Sequence, residues 1–173
     1  SVIMASATVS TGRQGGFEFF QSRVGATGSL TTQQGSPFDY QRQAELIVVG
    51  DMPDPSAQKQ EFENLLPQMI ERYLLRTQGR AFVLFTSYSL LRAMAQKMAR
   101  WFADNNMTIY SQADGTPRGQ LLEQFKHNPR GALFGTDSFW QGVDVPGDAL
   151  GNVIITKLPF SVPDHPLLEA RLE

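Results

Sequence analysis

The feature that most constrains this chain is a recurrence of short apolar runs, each too brief for a helix and bounded by turn-forming residues. They are "VIMA" at 2–5, "ELIVV" at 45–49, "AFVLF" at 81–85, "MTIY" at 107–110, "GALF" at 131–134 and "NVIIT" at 152–156. Most are rich in β-branched or aromatic residues, so all of them are expected to be strands buried on both faces. Between the later runs lie segments of helical period. Phe62, Leu65, Leu66, Met69, Ile70 and Tyr73 fall on one face, with Pro67 expected to interrupt or kink the helix. Leu91, Met94, Ala95, Met98 and Phe102 make a second stripe. Leu121, Leu122 and Phe125 make a third, opened by Thr116 as N-cap with Pro117 at the first helical position. Met94 and Met98 fit an adaptable binding face or a core, and core filling is the commoner use of that spacing. Strand alternating with helix implies parallel pairing through right-handed crossovers, so the expected fold is α/β, a helix/sheet/helix sandwich with a mostly parallel sheet.

Such a sandwich needs enough apolar residues for two buried faces, and 173 residues of which 41% are hydrophobic supply them. No apolar run reaches the length of a membrane span, and the N-terminus lacks the basic-then-apolar order of a signal peptide, so a soluble, cytoplasmic protein without membrane partners is expected. The absence of cysteine removes disulfides, zinc knuckles, thiol nucleophiles and cysteine-ligated clusters from these residues. A net charge of −2 gives no overall attraction to nucleic acid. Any such binding must be local, because eleven of the fifteen basic residues are arginines scattered from Arg13 to Arg171.

Residues 10–44 are rich in Gly, Ser, Thr and Gln, with "GGFEFFQSRVG" as a short helix and "GSPFDY" as a turn. They read as an irregular arm, so the chain is expected to divide into 1–44, a first strand with its connecting arm, and 45–173, the main domain. The chain opens inside a strand-like run and closes on "PDHPLLEARLE", which reads as helix. That pattern suggests a piece excised from a larger protein.

In open α/β sheets ligands bind beyond the carboxyl ends of the strands, and two of those ends are chemically rich. "LFTSYS" offers Thr86, Ser87, Tyr88 and Ser89, while "GTDSFWQGVDVPG" at 135–147 follows the apolar run "GALF". That second stretch crowds glycines and acidic or hydroxyl side chains around a Phe139-Trp140 pair that reads as exposed. Hydroxyls and loop N–H groups hold phosphates without large positive charge, and Ser87 and Thr136 equally serve as helix caps. Asp144, between Gly142 and Pro146, suits a ribose hydroxyl, a cation's water or a turn cap. The Gly142–Asp148 stretch has the glycine spacing of a P-loop, but Asp148 stands where lysine must be. The dinucleotide, serine-hydrolase and zincin signatures are also missing. His127 and His165, each beside a turn proline or asparagine, read as surface or capping residues.

Taken in order, these segments resemble the second, C-terminal helicase domain of the DinG/XPD-like family of superfamily 2 DNA helicases, in its bacterial DinG branch. "SAT" at 6–8 looks like motif III, "VLFTSY" at 83–88 like motif IV and "GTDSFWQGVDVPGD" at 135–148 like motif V. "SPFDY" at 36–40, "DMPDPS" at 51–56 and "KLPFSVPDHPLLEARLE" at 157–173 match the stretches between and after them. The resemblance covers nearly the whole chain, and Gln141 is its one noted departure, at a position where the family commonly has glutamate.

The resemblance implies a RecA-like domain, one of two that sandwich ATP and move single-stranded DNA across themselves. It implies that Ser6, Ala7 and Thr8 couple the first domain's ATP site to the DNA. Thr86, Ser87 and Tyr88 then lie along the DNA track, Thr136 contacts the phosphate backbone, and Gly142 and Asp144 face the nucleotide. Phosphoryl transfer also needs a P-loop lysine, a magnesium-holding acid and usually an arginine finger. The family carries the first two upstream and the arginine in a motif VI beyond residue 173. ATP and Mg2+ are therefore expected to be held mainly by another domain of a parent helicase, working in DNA repair in the bacterial cytoplasm or nucleoid. An iron–sulfur cluster is open to that parent but not to this chain. The alternatives are a noncatalytic single-stranded nucleic-acid-binding module of helicase-like fold, and an unrelated nucleotide-dependent enzyme of doubly wound fold.

Overall fold

In the computed structural model, which describes residues 2–6, 9–10 and 16–159, the chain divides into two units, one ending at Val48 and the other beginning at Val49. The division falls a few residues after the boundary at 44/45 expected from composition. Thr8, Ala7, His165 and the helix-like tail lie outside the described residues.

The first unit contains two short helices, α1 (Glu18–Val24) and α2 (Tyr40–Gln43). Gly25 ends α1 with φ 70°, the left-handed cap that glycine adopts without penalty. The strands expected at 2–5 and 45–49 do not form. A strand needs a neighbour for its N–H and C=O groups, and among the described residues these runs pair with no strand. Ile3 and Leu46 stay 93% and 90% exposed, so their strand-like composition is unspent within the described chain.

The second unit is the α/β sandwich. Four parallel strands, β1 (Ala81–Leu84), β2 (Thr108–Ser111), β3 (Gly131–Gly135) and β4 (Asn152–Ile155), run in the order β2-β3-β1-β4. β1 and β3 are central and buried throughout, whereas β2 and β4 are edges with exposed positions. Burial on both faces therefore belongs to the central pair alone.

Alternate β1 residues point to opposite faces. Ala81, Val83 and Phe85 join the core under α3 (Lys59–Thr77) and α4 (Tyr88–Asp104), which contribute Phe62, Leu66, Ile70 and Leu74, and Leu91, Met94, Met98 and Phe102. Phe82 and Leu84 face the other way, onto Leu121 and Phe125 of α5 (Arg118–Lys126). Met94 and Met98 are core residues, 2% and 1% exposed.

α3 runs unbroken through Pro67, so of the expected interruption or kink the interruption does not occur. Proline removes the N–H that Glu63 C=O would accept, and Lys97 Nζ of α4 donates to that oxygen at 3.3 Å instead. The N-cap of α5 is Pro117, one residue later than expected, because the Pro117 carbonyl accepts the first helical bond from Leu121 N–H at 3.0 Å. Thr116 makes no side-chain cap.

Phe134 joins these layers: it is 0% exposed, with ring centroids 5.3 Å from Phe85 and 5.9 Å from Phe102. Phe134→Ala is expected to cost about 3–5 kcal/mol in urea denaturation, the range for a truncated buried aromatic. A loss under about 1 kcal/mol would mean that the two central strands do not carry the core.

Candidate functional site

β1 and β3 end side by side. Their register pairs Leu84 with Gly135, and Phe85 N–H donates to Gly135 C=O at 2.8 Å. The next residues, Thr86 and Thr136, therefore leave two hydrogen-bonded neighbours at the same carboxyl edge, where strands lie about 4.8 Å apart. Ser87 caps α4: its Oγ accepts from Leu90 N–H at 3.3 Å and lies 3.2 Å from Ser89 Oγ. Thr86 is half-buried, while Ser87 and Tyr88 are exposed at the start of α4.

The stretch after β3 turns sharply because Gly135 permits it. A Cβ there would stand 2.7 Å from Phe139 Cδ2. Phe139 is 3% exposed and meets Phe82 edge-on at 6.2 Å between centroids. The Phe-Trp pair expected to be exposed is thus an anchor: Phe139 is buried, and Trp140 packs beside it with Val143, Val145 and Leu150. Asp137, Ser138, Gln141, Gly142 and Asp144 are exposed between those anchors. Gly142 lies in a bend at φ 68°, the left-handed region that glycine adopts without strain. Trp140 Nε1 is buried without a hydrogen-bond partner among the described residues.

Two polar residues from neighbouring segments grip this loop. Gln112, immediately after β2, accepts at Oε1 from Thr136 N–H at 2.8 Å and from Thr136 Oγ1 at 3.0 Å, and donates from Nε2 to Ser138 Oγ at 2.9 Å. Arg118, the first residue of α5, donates from Nε to Ser138 C=O at 3.1 Å and from Nη2 to Gly142 C=O at 2.9 Å. Its guanidinium also lies 5.4 Å from the centre of the Phe139 ring. Nothing in the sequence alone marks Gln112 or Arg118. Neither lies in a motif, and only the strand order, which puts β2 beside β3, carries them to this edge.

The fold therefore gathers Thr86, Ser87, Tyr88 and Thr136 at the ends of adjacent strands, with Gly142 and Asp144 farther along one loop. Ser6 belongs to the first unit, exposed and outside any strand, and Thr8 lies outside the described residues. "DMPDPS" forms an Asx turn: Asp54 Oδ1 accepts from Ser56 N–H at 2.7 Å and Ala57 N–H at 2.9 Å. The bond from Ala57 N–H first, then that from Ser56 N–H, holds the Asp54 carboxyl below its ordinary range. Lys157 Nζ, beyond β4, donates to Ser56 Oγ at 3.4 Å. His127 ends α5, its Nδ1 lying 2.7 Å from Glu123 C=O, the capping role expected of it. Among the described residues no three His, Asp or Glu side chains gather to hold a metal ion, and Asp148 rather than lysine stands at the P-loop position of the Gly142 loop.

Residues 70–173 match the helicase C-terminal domain family. Over 172 residues the chain is 40% identical to the ATP-dependent DNA helicase YoaA of Haemophilus influenzae, covering 99% of this chain and 26% of that protein. It is 39% identical to the Escherichia coli protein of the same name, covering 100% of this chain and 26% of that one. It is also 34% identical to the 3'-5' exonuclease DinG of Bacillus subtilis, over 100% of this chain and 19% of that protein. The chain thus spans about a quarter of the length of the first two relatives, which are 26% covered.

Ser87→Ala should cost about 1 kcal/mol of stability through the lost cap of α4. Urea denaturation of the variant checks this, and an unchanged midpoint would mean that the Ser87–Leu90 contact holds nothing in place.

Proposed function

The chain belongs to the helicase C-terminal domain family, and from that premise we propose that it is the second motor domain of an ATP-dependent DNA helicase. In this reading it contributes contacts to single-stranded DNA and one wall of the ATP cleft, and the first helicase domain of the same parent chain is its partner. The observation that carries the reading is the adjacency of the β1 and β3 ends, which sets Thr86, Ser87 and Tyr88 beside Thr136. A strand of nucleic acid lying across two neighbouring loops meets hydroxyls and loop N–H groups, which bind phosphate oxygens without reading sequence. Tyr88, half exposed, offers a face on which any base can stack.

The same loop runs on to Gly142 and Asp144, which we assign to the nucleotide side. Asp144 is exposed, while Val143 and Val145 on either side are drawn into the core. That alternation presents one carboxylate outward from a fixed backbone, suited to a ribose hydroxyl or a magnesium-bound water. Bound ATP would supply the phosphoryl group, and the loop's own part is to orient and to close. The residues that hold the triphosphate and Mg2+ are assigned to the upstream domain, since this chain offers no P-loop lysine. One connection between two ligands gives the domain its coupling: a shift at the nucleotide end moves backbone at the DNA end.

ATPase measurements test the proposal. The isolated chain should hydrolyse no ATP and should bind single-stranded DNA weakly, with affinity falling steeply as salt rises. The full-length parent should show DNA-stimulated ATPase, and Asp144→Asn in it should lower that stimulated rate more than DNA affinity. Turnover that copurifies with the isolated chain would contradict the reading. A parent that binds DNA but never hydrolyses ATP would instead favour the noncatalytic module.

A further inference from the structure

Resting on the reading above, in which the loop after β3 faces the DNA backbone, we propose that the phosphate donors of that loop are the Gln112 amide and the Ser138 hydroxyl. Thr136 is then the buttress that positions them. Phosphate oxygens only accept hydrogen bonds, so what matters is where the donors are spent. Thr136 has two, its N–H and its O–H, and both go to Gln112 Oε1, at 2.8 and 3.0 Å. The residue is only 5% exposed. A phosphate gains a hydrogen bond from Thr136 only if one of these two bonds is given up.

Those same bonds orient Gln112. Turning its amide over would set the NH2 group against the Thr136 N–H, which can only donate, so that bond fixes the oxygen inward toward Thr136 and the nitrogen away. Nε2 carries two hydrogens, and one is used on Ser138 Oγ at 2.9 Å. Because Ser138 Oγ accepts there, its own hydrogen is left to point elsewhere, and among the described residues no acceptor takes it. Ser138 is exposed and Gln112 half-buried, so a second amide hydrogen and a hydroxyl hydrogen sit together at the edge. Arg118 holds the backbone beneath them through Ser138 C=O. The pair is preorganised, since Gln112 and Ser138 are already held in place before a phosphate arrives.

The experiment measures dissociation constants of the full-length parent for a labelled oligo-dT strand at several salt concentrations, with melting temperature as a check on folding. Ser138→Ala should weaken binding about three- to tenfold at unchanged melting temperature, the effect of one lost hydrogen bond. Gln112→Glu keeps an acceptor for Thr136 but replaces the amide donor with a negative charge. It should weaken binding by more than about tenfold at low salt, with the gap from wild type narrowing as salt screens the repulsion. Gln112→Ala should weaken binding as well, whereas if Thr136 itself donated to phosphate, freeing it would preserve or tighten binding. Wild-type affinity in Ser138→Ala, or undiminished affinity in Gln112→Ala, overturns the assignment of donors. A wild-type parent that fails to bind the strand overturns the helicase reading along with it.

Discussion

Everything at the candidate site depends on the parallel pairing of β1 with β3 at the centre of the sheet. Both strands are buried throughout, and their ladder runs to the bond from Phe85 N–H to Gly135 C=O. An unpaired N–H there would be buried and costly, so the ends of the two strands are held in one register. That register fixes Thr86 and Thr136 as neighbours. Shifting one strand by a single residue would turn its core side chains to the wrong face, which is why the adjacency is rigid. The aromatic contacts of Phe134 with Phe85 and Phe102 reinforce it from the α4 side of the sheet.

From that rigid edge the loop after β3 is built by alternation. Phe139, Trp140, Val143, Val145 and Leu150 point into the α5 side of the core, and the polar residues between them point out. An irregular segment normally moves more than the elements it joins. Here apolar anchors, Gln112 and Arg118 restrain it, and the Phe139 ring closes over Gly135 so tightly that no larger residue fits. A loop proposed to bind DNA at its start and nucleotide at its end gains from such restraint, because a motion at one end is then passed on rather than dissipated.

The sandwich was legible because its signals are local and strong. β1, β3 and the stripe Leu91, Met94, Met98 and Phe102 could be read directly, since an apolar run or a period of 3.6 depends on neighbours along the chain. The failures came where partners mattered. "VIMA" and "ELIVV" have strand composition but pair with no strand among the described residues, and Pro67 sits inside a helix where Lys97, thirty positions on, donates to the carbonyl it frees. At the site, Ser87 as a cap was readable from its place before α4. The burial of Phe139 and the grip of Gln112 on Thr136 were not, because both depend on which strands lie side by side.

Hydrogen exchange of the full-length parent, with and without a single-stranded oligonucleotide, tests the central claim most directly: that the ends of β1 and β3 form one DNA-facing edge. The account predicts slowed exchange together at residues 86–89 and 136–142 when the strand binds, with the edge strand β4 unaffected. Binding that leaves both segments unchanged and protects only other parts of the protein would contradict it.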